Sequence, residues 1–144
     1  MTRMAAHTLR GRATVVKDYA DVPNARIAEQ RLAQVFLNLL VNAAHAIEAG
    51  GPGRHEVRLV VRSEGGRVIV EVSDTGCGIP ADVLGRIFDP YFTTKPAGKG
   101  TGLGLSIVQG IVRDAGGDIA VESTVGEGTT FRVALPAYVE RRAA

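Results

Sequence analysis

Cysteine is nearly absent. Cys77 is the single one in 144 residues, so no disulfide can form within the chain, and cysteine alone supplies neither a thiol pair nor a zinc site. A reducing cytoplasm fits that usage. Tryptophan is missing, and the aromatic residues are three tyrosines and four phenylalanines, so any cluster of rings stands out. An excess of either charge is missing too. Lys and Arg number 17 against 15 Asp and Glu, a formal net charge of +2, which is too small to make nucleic acid or an anionic membrane the default partner. No apolar run approaches the roughly 20 residues a membrane-crossing helix needs. The opening Met1-Thr2-Arg3-Met4-Ala5 lacks the apolar stretch of a secretory signal.

What is present is globular in kind. Hydrophobic residues make up 45% and charged residues 22%, values that support one packed core and exclude a disordered chain. A chain of this length is one ordinary domain. Thr14-Val15-Val16 and Arg26-Ile27, separated by the turn-forming Pro23-Asn24, read as two short strands. From Arg31 to Ala49 the apolar residues Leu32, Val35, Phe36, Leu39, Leu40, Ala43 and Ile47 recur at helical spacing, and Gly50-Gly51-Pro52-Gly53 stops the pattern. Val57 to Arg62 and Arg67 to Ser73 read as a hairpin closed by Glu64-Gly65-Gly66. A second hairpin joins Asp118 to Ser123 with Thr129 to Leu135. Between them lie a short helix near Ala81 to Arg86, an irregular stretch from Asp89 to Gly100, and a helix from about Gly102 to Ala115 that stops at Gly116-Gly117. The order predicts a two-layer α/β sandwich: a mixed, mainly antiparallel sheet of about five strands with three helices on one face.

Three segments carry chemistry. On the long helix Gln34, Asn38, Asn42 and His45 fall at steps of four, four and three, one polar stripe on an otherwise apolar element. Buried amides need partners, so the stripe points either to backbone pairing or to a polar ligand along the helix. An asparagine oxygen also suits Mg²⁺, a hard cation, without adding negative charge. At the end of the second strand of the first hairpin stands Asp74-Thr75-Gly76-Cys77-Gly78-Ile79-Pro80. Its glycines permit close backbone approach, and its carboxylate can accept a hydrogen bond from an exocyclic amine. The same Asp-Thr-Gly also resembles the catalytic triplet of aspartic proteases, a reading that requires an almost all-β chain. Finally, Gly98-Lys99-Gly100-Thr101-Gly102-Leu103-Gly104-Leu105-Ser106 alternates glycines where a loop becomes a helix, a natural place for backbone N–H groups to cradle phosphate. It lacks the Walker spacing and the dinucleotide fingerprint. Ahead of it, Phe88-Asp89-Pro90-Tyr91-Phe92-Thr93-Thr94-Lys95 concentrates three of the seven rings, as a hinged lid anchored by Phe88 and Phe92 would.

Read in order, these segments resemble the histidine-kinase-type ATPases, whose Bergerat or GHKL nucleotide fold is shared with gyrase. Asn38-Leu39-Leu40-Val41-Asn42-Ala43 is similar to the N box, Asp74 to Ile79 to the first glycine box, Phe88 to Phe92 to the F box, and Gly100 to Leu105 to the second glycine box. Gly126-Glu127-Gly128-Thr129-Thr130-Phe131 is similar to the closing Gly-x-Gly-Thr segment. The resemblance spans about Leu32 to Pro136. It implies ATP and Mg²⁺ as cofactors, with Asn42 as metal ligand and Asn38, His45 and Lys95 beside the phosphates. It implies that Asp74, supported by Thr129, takes the adenine amine. Nucleotide contacts would come from Gly76, Gly78, Ile79, Phe88, Phe92, Gly100, Thr101, Gly102, Leu103, Gly104 and Leu105.

Hydrolytic members of the superfamily resemble one another in a glutamate four residues before the magnesium asparagine. Here that place is Asn38, which cannot act as a general base. The resemblance therefore implies a sensor histidine kinase's catalytic domain, handing the γ-phosphoryl group to a histidine elsewhere. His7, His45 and His55 are the only histidines, and none sits in a His-Glu/Asp-x-x-Asn-Pro context. The expected partners are a dimerisation and histidine-phosphotransfer domain and, through it, a response regulator. Residues 1–11 read as a stub or linker of that missing domain, 12–136 as the catalytic domain, and 137–144 as a tail. The expected setting is cytoplasmic, within a parent that could be membrane-anchored. Two alternatives keep the same fold: a nucleotide-responsive interaction module and an anti-sigma-factor-type serine kinase.

Overall fold

A computed structural model of the chain describes residues 13–20, 25, 27–49, 55–92 and 104–137. The elements run β1 (Ala13–Tyr19), α1 (Glu29–Ala49), β2 (His55–Glu64), β3 (Arg67–Asp74), α2 (Ala81–Leu84), α3 (Gly104–Asp114), β4 (Asp118–Thr124) and β5 (Gly128–Pro136). One five-stranded sheet has the order β1-β2-β3-β5-β4. β1 pairs with β2 in parallel, starting from Ala13↔His55, and every other pairing is antiparallel. The helices pack on one face, which is the predicted two-layer sandwich. A 21-residue helix removes the all-β chain that the protease reading required.

The pattern of side chains explains the layering. Along α1, Val35, Leu39, Ala43 and Ile47 recur every four residues and are each at most 2% exposed. They face Val57 and Leu59 of β2, Val68, Val70 and Val72 of β3, and Phe131, Val133 and Leu135 of β5, together with Val108, Ile111 and Val112 of α3. Strand alternation sends the other set outward. Among the described residues that outer face carries no helix and is meshed by ion pairs instead: Arg62 with Glu71 at 3.0 Å, Arg132 with Glu64 at 3.2 Å, and Arg67 with Asp118 at 2.9 Å. Ile69 points to this side yet is only 3% exposed, because it lies between Arg67 and Glu71 along β3 and opposite Arg62 on β2. The aliphatic stems of such side chains cover apolar surface while their heads stay wet.

The β2–β3 turn is set by Gly65 and Gly66, with φ of 57° and 78°, the pair of positive values a tight primed turn demands. α3 ends in a Schellman pair, Gly117 N–H to the Val112 carbonyl at 2.9 Å and Gly116 N–H to the Arg113 carbonyl at 3.0 Å.

Three expectations change. The second short strand, at Arg26-Ile27, is reduced to a single antiparallel bridge between Ala25 and Ala137. Ile27 instead turns its side chain onto the core just before α1 begins, which leaves no length for a ladder. The short helix stops at Leu84 rather than Arg86. Gln34 is exposed although it shares the amide spacing, because each step of four residues overshoots a full turn by about 40°; two such steps carry it out of line with Asn42.

Truncating Leu39 to alanine is expected to cost about 3 kcal/mol of unfolding free energy, read from urea denaturation. Leu37→Ala, at a position 59% exposed, should stay within about 0.5 kcal/mol. Equal costs would mean that α1 presents a different face to the sheet.

Candidate functional site

Asp74 is the last residue of β3 and lies on the inward face, continuing the row of Val70 and Val72. It is 8% exposed, and Thr129, directly across on β5, is 5% exposed. These two are the buried polar residues of the described structure. Burial pushes the Asp74 carboxyl above its ordinary value, while backbone N–H groups of Gly76 and Thr129 and the charge of His55 pull it down. The Gly76 N–H donates to its Oδ1 at 2.9 Å. A carboxylate kept dry at a sheet end, yet steadied by N–H donors, is the kind of group that waits for a partner.

The loop after Asp74 is fastened on every side. Thr75 N–H donates to the Glu56 carbonyl at 3.2 Å, Cys77 N–H to the Ala46 carbonyl of α1 at 3.0 Å, and Gly126 N–H to the Cys77 carbonyl at 2.9 Å. The Thr75 hydroxyl accepts the Glu56 N–H at 2.9 Å. Ile79 N–H donates to the Ser123 hydroxyl at 2.7 Å. A Cβ on Gly76 would run into the backbone of Ala46, and one on Gly78, whose φ is 76°, would run into the carbonyl of Thr124 and lie 2.9 Å from the Val125 Cα. The bare backbone of both glycines is thus used first by the protein itself, to let this loop wedge between α1 and the β4–β5 turn. A Cβ on Gly128 would likewise meet the Asp74 carbonyl.

Further back along α1, Asn38, Asn42 and His45 are half-buried. The Asn38 Nδ2 donates to the Gly104 carbonyl at 3.2 Å, tying α1 to the first residue of α3. One helix therefore touches both outlying features: Ala46 meets the Asp74 loop, and Asn38, eight residues earlier, meets the glycine-opened helix start. At about 1.5 Å of rise per residue the two contacts stand about 12 Å apart along the axis. Gly104 has open space where a Cβ would be, and Leu105 packs on the core.

Other expected residues divide. Lys95, Gly100, Thr101, Gly102 and Leu103 lie outside the described residues. The Phe88 ring meets Phe131 edge to face at 6.5 Å and packs against the core, anchoring the segment. Phe92 lies under the Arg86 guanidinium, 4.5 Å from the ring centroid. Cys77 contributes its backbone, and its thiol donates to the Gly78 carbonyl at 3.5 Å. A cavity of about 270 Å³ lined by Ile27, Ala28, Arg31, Ile111, Asp114 and Ala115 lies at the other end of α1 and contains none of the expected site residues.

Ser123 is a residue that motif reading missed. Its hydroxyl lies 3.0 Å from the Gly128 carbonyl and 2.8 Å from Thr129 Oγ1, as well as accepting the Ile79 N–H. The available signal was its parity: Ile119, Val121 and Ser123 alternate along β4 on the inward face, and a hydroxyl there needs a reason.

With that geometry in place, comparison with known proteins is specific. Residues 27–139 match the family described as histidine kinase-, DNA gyrase B-, and HSP90-like ATPase. The chain is 49% identical over 122 residues to the sensor kinase CckA of Brucella abortus (strain 2308), covering 77% of this chain and 13% of that protein. It is 47% identical over 122 residues to the sensor histidine kinase ZraS of Escherichia coli (strain K12), covering 84% of this chain and 25% of that protein. The chain thus spans a quarter or less of the length of these relatives. Among solved structures, the nucleotide-free catalytic domain of histidine kinase ThkA superposes with a TM-score of 0.75 at 30% identity, over 94% of this chain and 86% of that one. Full-length ShkA in complex with AMPPNP gives a TM-score of 0.76 at 28% identity, over 97% of this chain and 30% of that one.

The wedge can be tested apart from any ligand. Gly126→Ala, at a positive φ with open space around it, should cost about 1–2 kcal/mol; Gly78→Ala, which adds a backbone collision, should cost clearly more in the same denaturation assay. Equal losses would show that the loop does not press on Thr124.

Proposed function

The chain belongs to the histidine kinase-, DNA gyrase B-, and HSP90-like ATPase family, as an ATP-binding catalytic domain of the sensor-histidine-kinase type, and from that premise we propose that it binds ATP with Mg²⁺ and donates the γ-phosphoryl group to a histidine on a separate dimerisation and phosphotransfer domain. The observation that carries this reading is the reach of α1, whose Ala46 carbonyl steadies the Asp74 loop while Asn38 holds the start of α3. A nucleotide laid along that helix has a carboxylate for its base at one end and a helix N-terminus for its phosphates at the other.

Each residue then has a task. Asp74 accepts the adenine amine, with Thr129 beside it. Asn42 fits a magnesium ion, being a half-buried neutral amide one turn from Asn38; Mg²⁺ takes few protein ligands and completes its shell from phosphate oxygens and water. When bound, the ion neutralises developing charge on the phosphates. His45 continues the stripe, and Lys95 and the stretch Gly100 to Leu105 complete the phosphate end. Asn38 donates a hydrogen bond to Gly104 and cannot take a proton from water, so the domain's work is positioning for transfer. The catalytic domain is placed at residues 12–136, with 1–11 as linker and 137–144 as tail; the Ala25–Ala137 bridge adds Ala137 to it. The acceptor histidine, and a response regulator beyond it, belong to the longer sensor kinases that the relatives represent. Among the described residues no helix is long and apolar enough to cross a membrane. Incubation with labelled ATP and a separately made acceptor domain tests the proposal: phosphohistidine is expected, and a nucleotide-responsive interaction module would give none.

Asp74→Asn should fold normally and lose the equivalent of a charge-assisted hydrogen bond, about 1.5–3 kcal/mol or roughly 10- to 100-fold in ATP affinity by calorimetry. Because burial raises the Asp74 pKa and the ionised carboxylate is the stronger acceptor, wild-type affinity should fall as pH drops through a value above 3.8. The asparagine variant, which shares the titration of the phosphates, should lack that component. Unchanged affinity would remove Asp74 from the base site. For Asn42→Ala, amide chemical shifts followed through ATP titrations with and without Mg²⁺ should show the metal dependence abolished; a normal response to Mg²⁺ would clear Asn42 of ligation.

A further inference from the structure

We propose that Ser123 is a positioning residue that fixes the direction of the Thr129 hydroxyl and so sets the preference for adenine over 6-oxopurines. The inference rests on the reading of Asp74 as the base-recognising carboxylate. It follows from counting hydrogens around one oxygen. Ser123 Oγ lies 2.7 Å from the Ile79 nitrogen, 3.0 Å from the Gly128 carbonyl oxygen and 2.8 Å from Thr129 Oγ1. An amide N–H can only donate and a carbonyl can only accept. The contact with Ile79 therefore uses a lone pair of Ser123, and the contact with Gly128 uses the single hydroxyl hydrogen of Ser123, since two oxygens at that separation need a hydrogen between them. The remaining contact must use the hydrogen of Thr129.

Thr129 is left with lone pairs alone. It stands directly across from Asp74 on the same face of the sheet, and an ionised carboxylate is likewise an acceptor. The two buried polar side chains at this end of the sheet thus both ask for donors. An exocyclic amine supplies them. A 6-oxo group presents an acceptor to two acceptors, and a site built this way rejects the mismatched analogue because its buried groups stay unpaired. Without the Ser123 hydroxyl, Thr129 is free to rotate and offer its hydrogen to the oxo group, and the rejection weakens.

The test compares binding of ATP and inosine triphosphate, which carries a 6-oxo group in place of the amine and a hydrogen on N1, by calorimetry on the full chain. Ser123→Ala should lower the ATP-to-inosine-triphosphate affinity ratio by about tenfold, and Ser123→Thr, which keeps a hydroxyl, should restore it. Thr129→Val should lower the ratio as well, and adding Ser123→Ala to it should lower it no further; should Ser123→Ala fail to fold, Ser123→Cys carries the same comparison with a poorer donor. A ratio unchanged in Ser123→Ala, with melting temperature or both affinities falling together, would overturn the proposal and leave Ser123 a structural clasp. Asp74→Asn separates the two levels: if it weakens ATP binding while Ser123→Ala leaves the ratio intact, only this inference fails; if it leaves ATP binding unchanged, the base does not sit on Asp74 and both fall.

Discussion

The hydrogen bond from Cys77 N–H to the Ala46 carbonyl, with Gly76 pressed against the same residue, is the joint on which the site depends. It makes the loop after Asp74 an extension of α1. A carboxylate at a strand end would ordinarily point into solvent on a loose turn; here the loop is clamped by the helix, by Glu56 of β2 and by the β4–β5 turn, so Asp74 stays dry and aimed. Burial alone would drive that carboxylate toward its neutral form, and the N–H groups of Gly76 and Thr129 oppose this. The protein thus holds a charge that is costly without a ligand, the expected condition of a group whose partner arrives from outside.

The contact between Asn38 and Gly104 is the counterpart at the other end of α1. A carboxylate in place of this amide would face a carbonyl oxygen across 3.2 Å and be repelled. The amide's hydrogen makes the contact attractive and draws the start of α3 toward the helix. The amide thereby fastens the start of α3 to the middle of α1.

Much of the fold was legible because its periods are clean. Val35, Leu39, Ala43 and Ile47 announce a helix with one buried face, and the two glycines after Glu64 announce a hairpin. The second short strand misled because Arg26-Ile27 has strand-like residues but no room before α1. Gln34 misled because spacing by fours looks straight on paper and winds about 40° per step on a helix. Phe88 stood out as an aromatic in a chain poor in rings, and its ring anchors the segment on the core beside Phe131. The glycines of the Asp74 loop were visible as a need for close approach; which surface approaches was not, since Ala46 and Thr124 are distant in sequence. Ser123 was hidden for a plainer reason. Motif reading attends to the residues that touch ligands, whereas a hydroxyl that orients another hydroxyl shows itself only as a polar residue on the wrong side of an amphipathic strand.

The parallel pairing of β1 with β2 has a consequence for how anything attached ahead of the domain meets it. Both strands begin at the same end of the sheet, Ala13 beside His55, and it is there that Glu56 grips Thr75. Ala13 therefore stands near the loop that holds Asp74, two strand spacings across and two residues along from that carboxylate, about 12 Å. A pull or twist on the segment leading into Ala13 is delivered to a strand whose one neighbour among the described residues carries the grip on the loop. The shortest mechanical route into the site is the doorway by which the chain comes in.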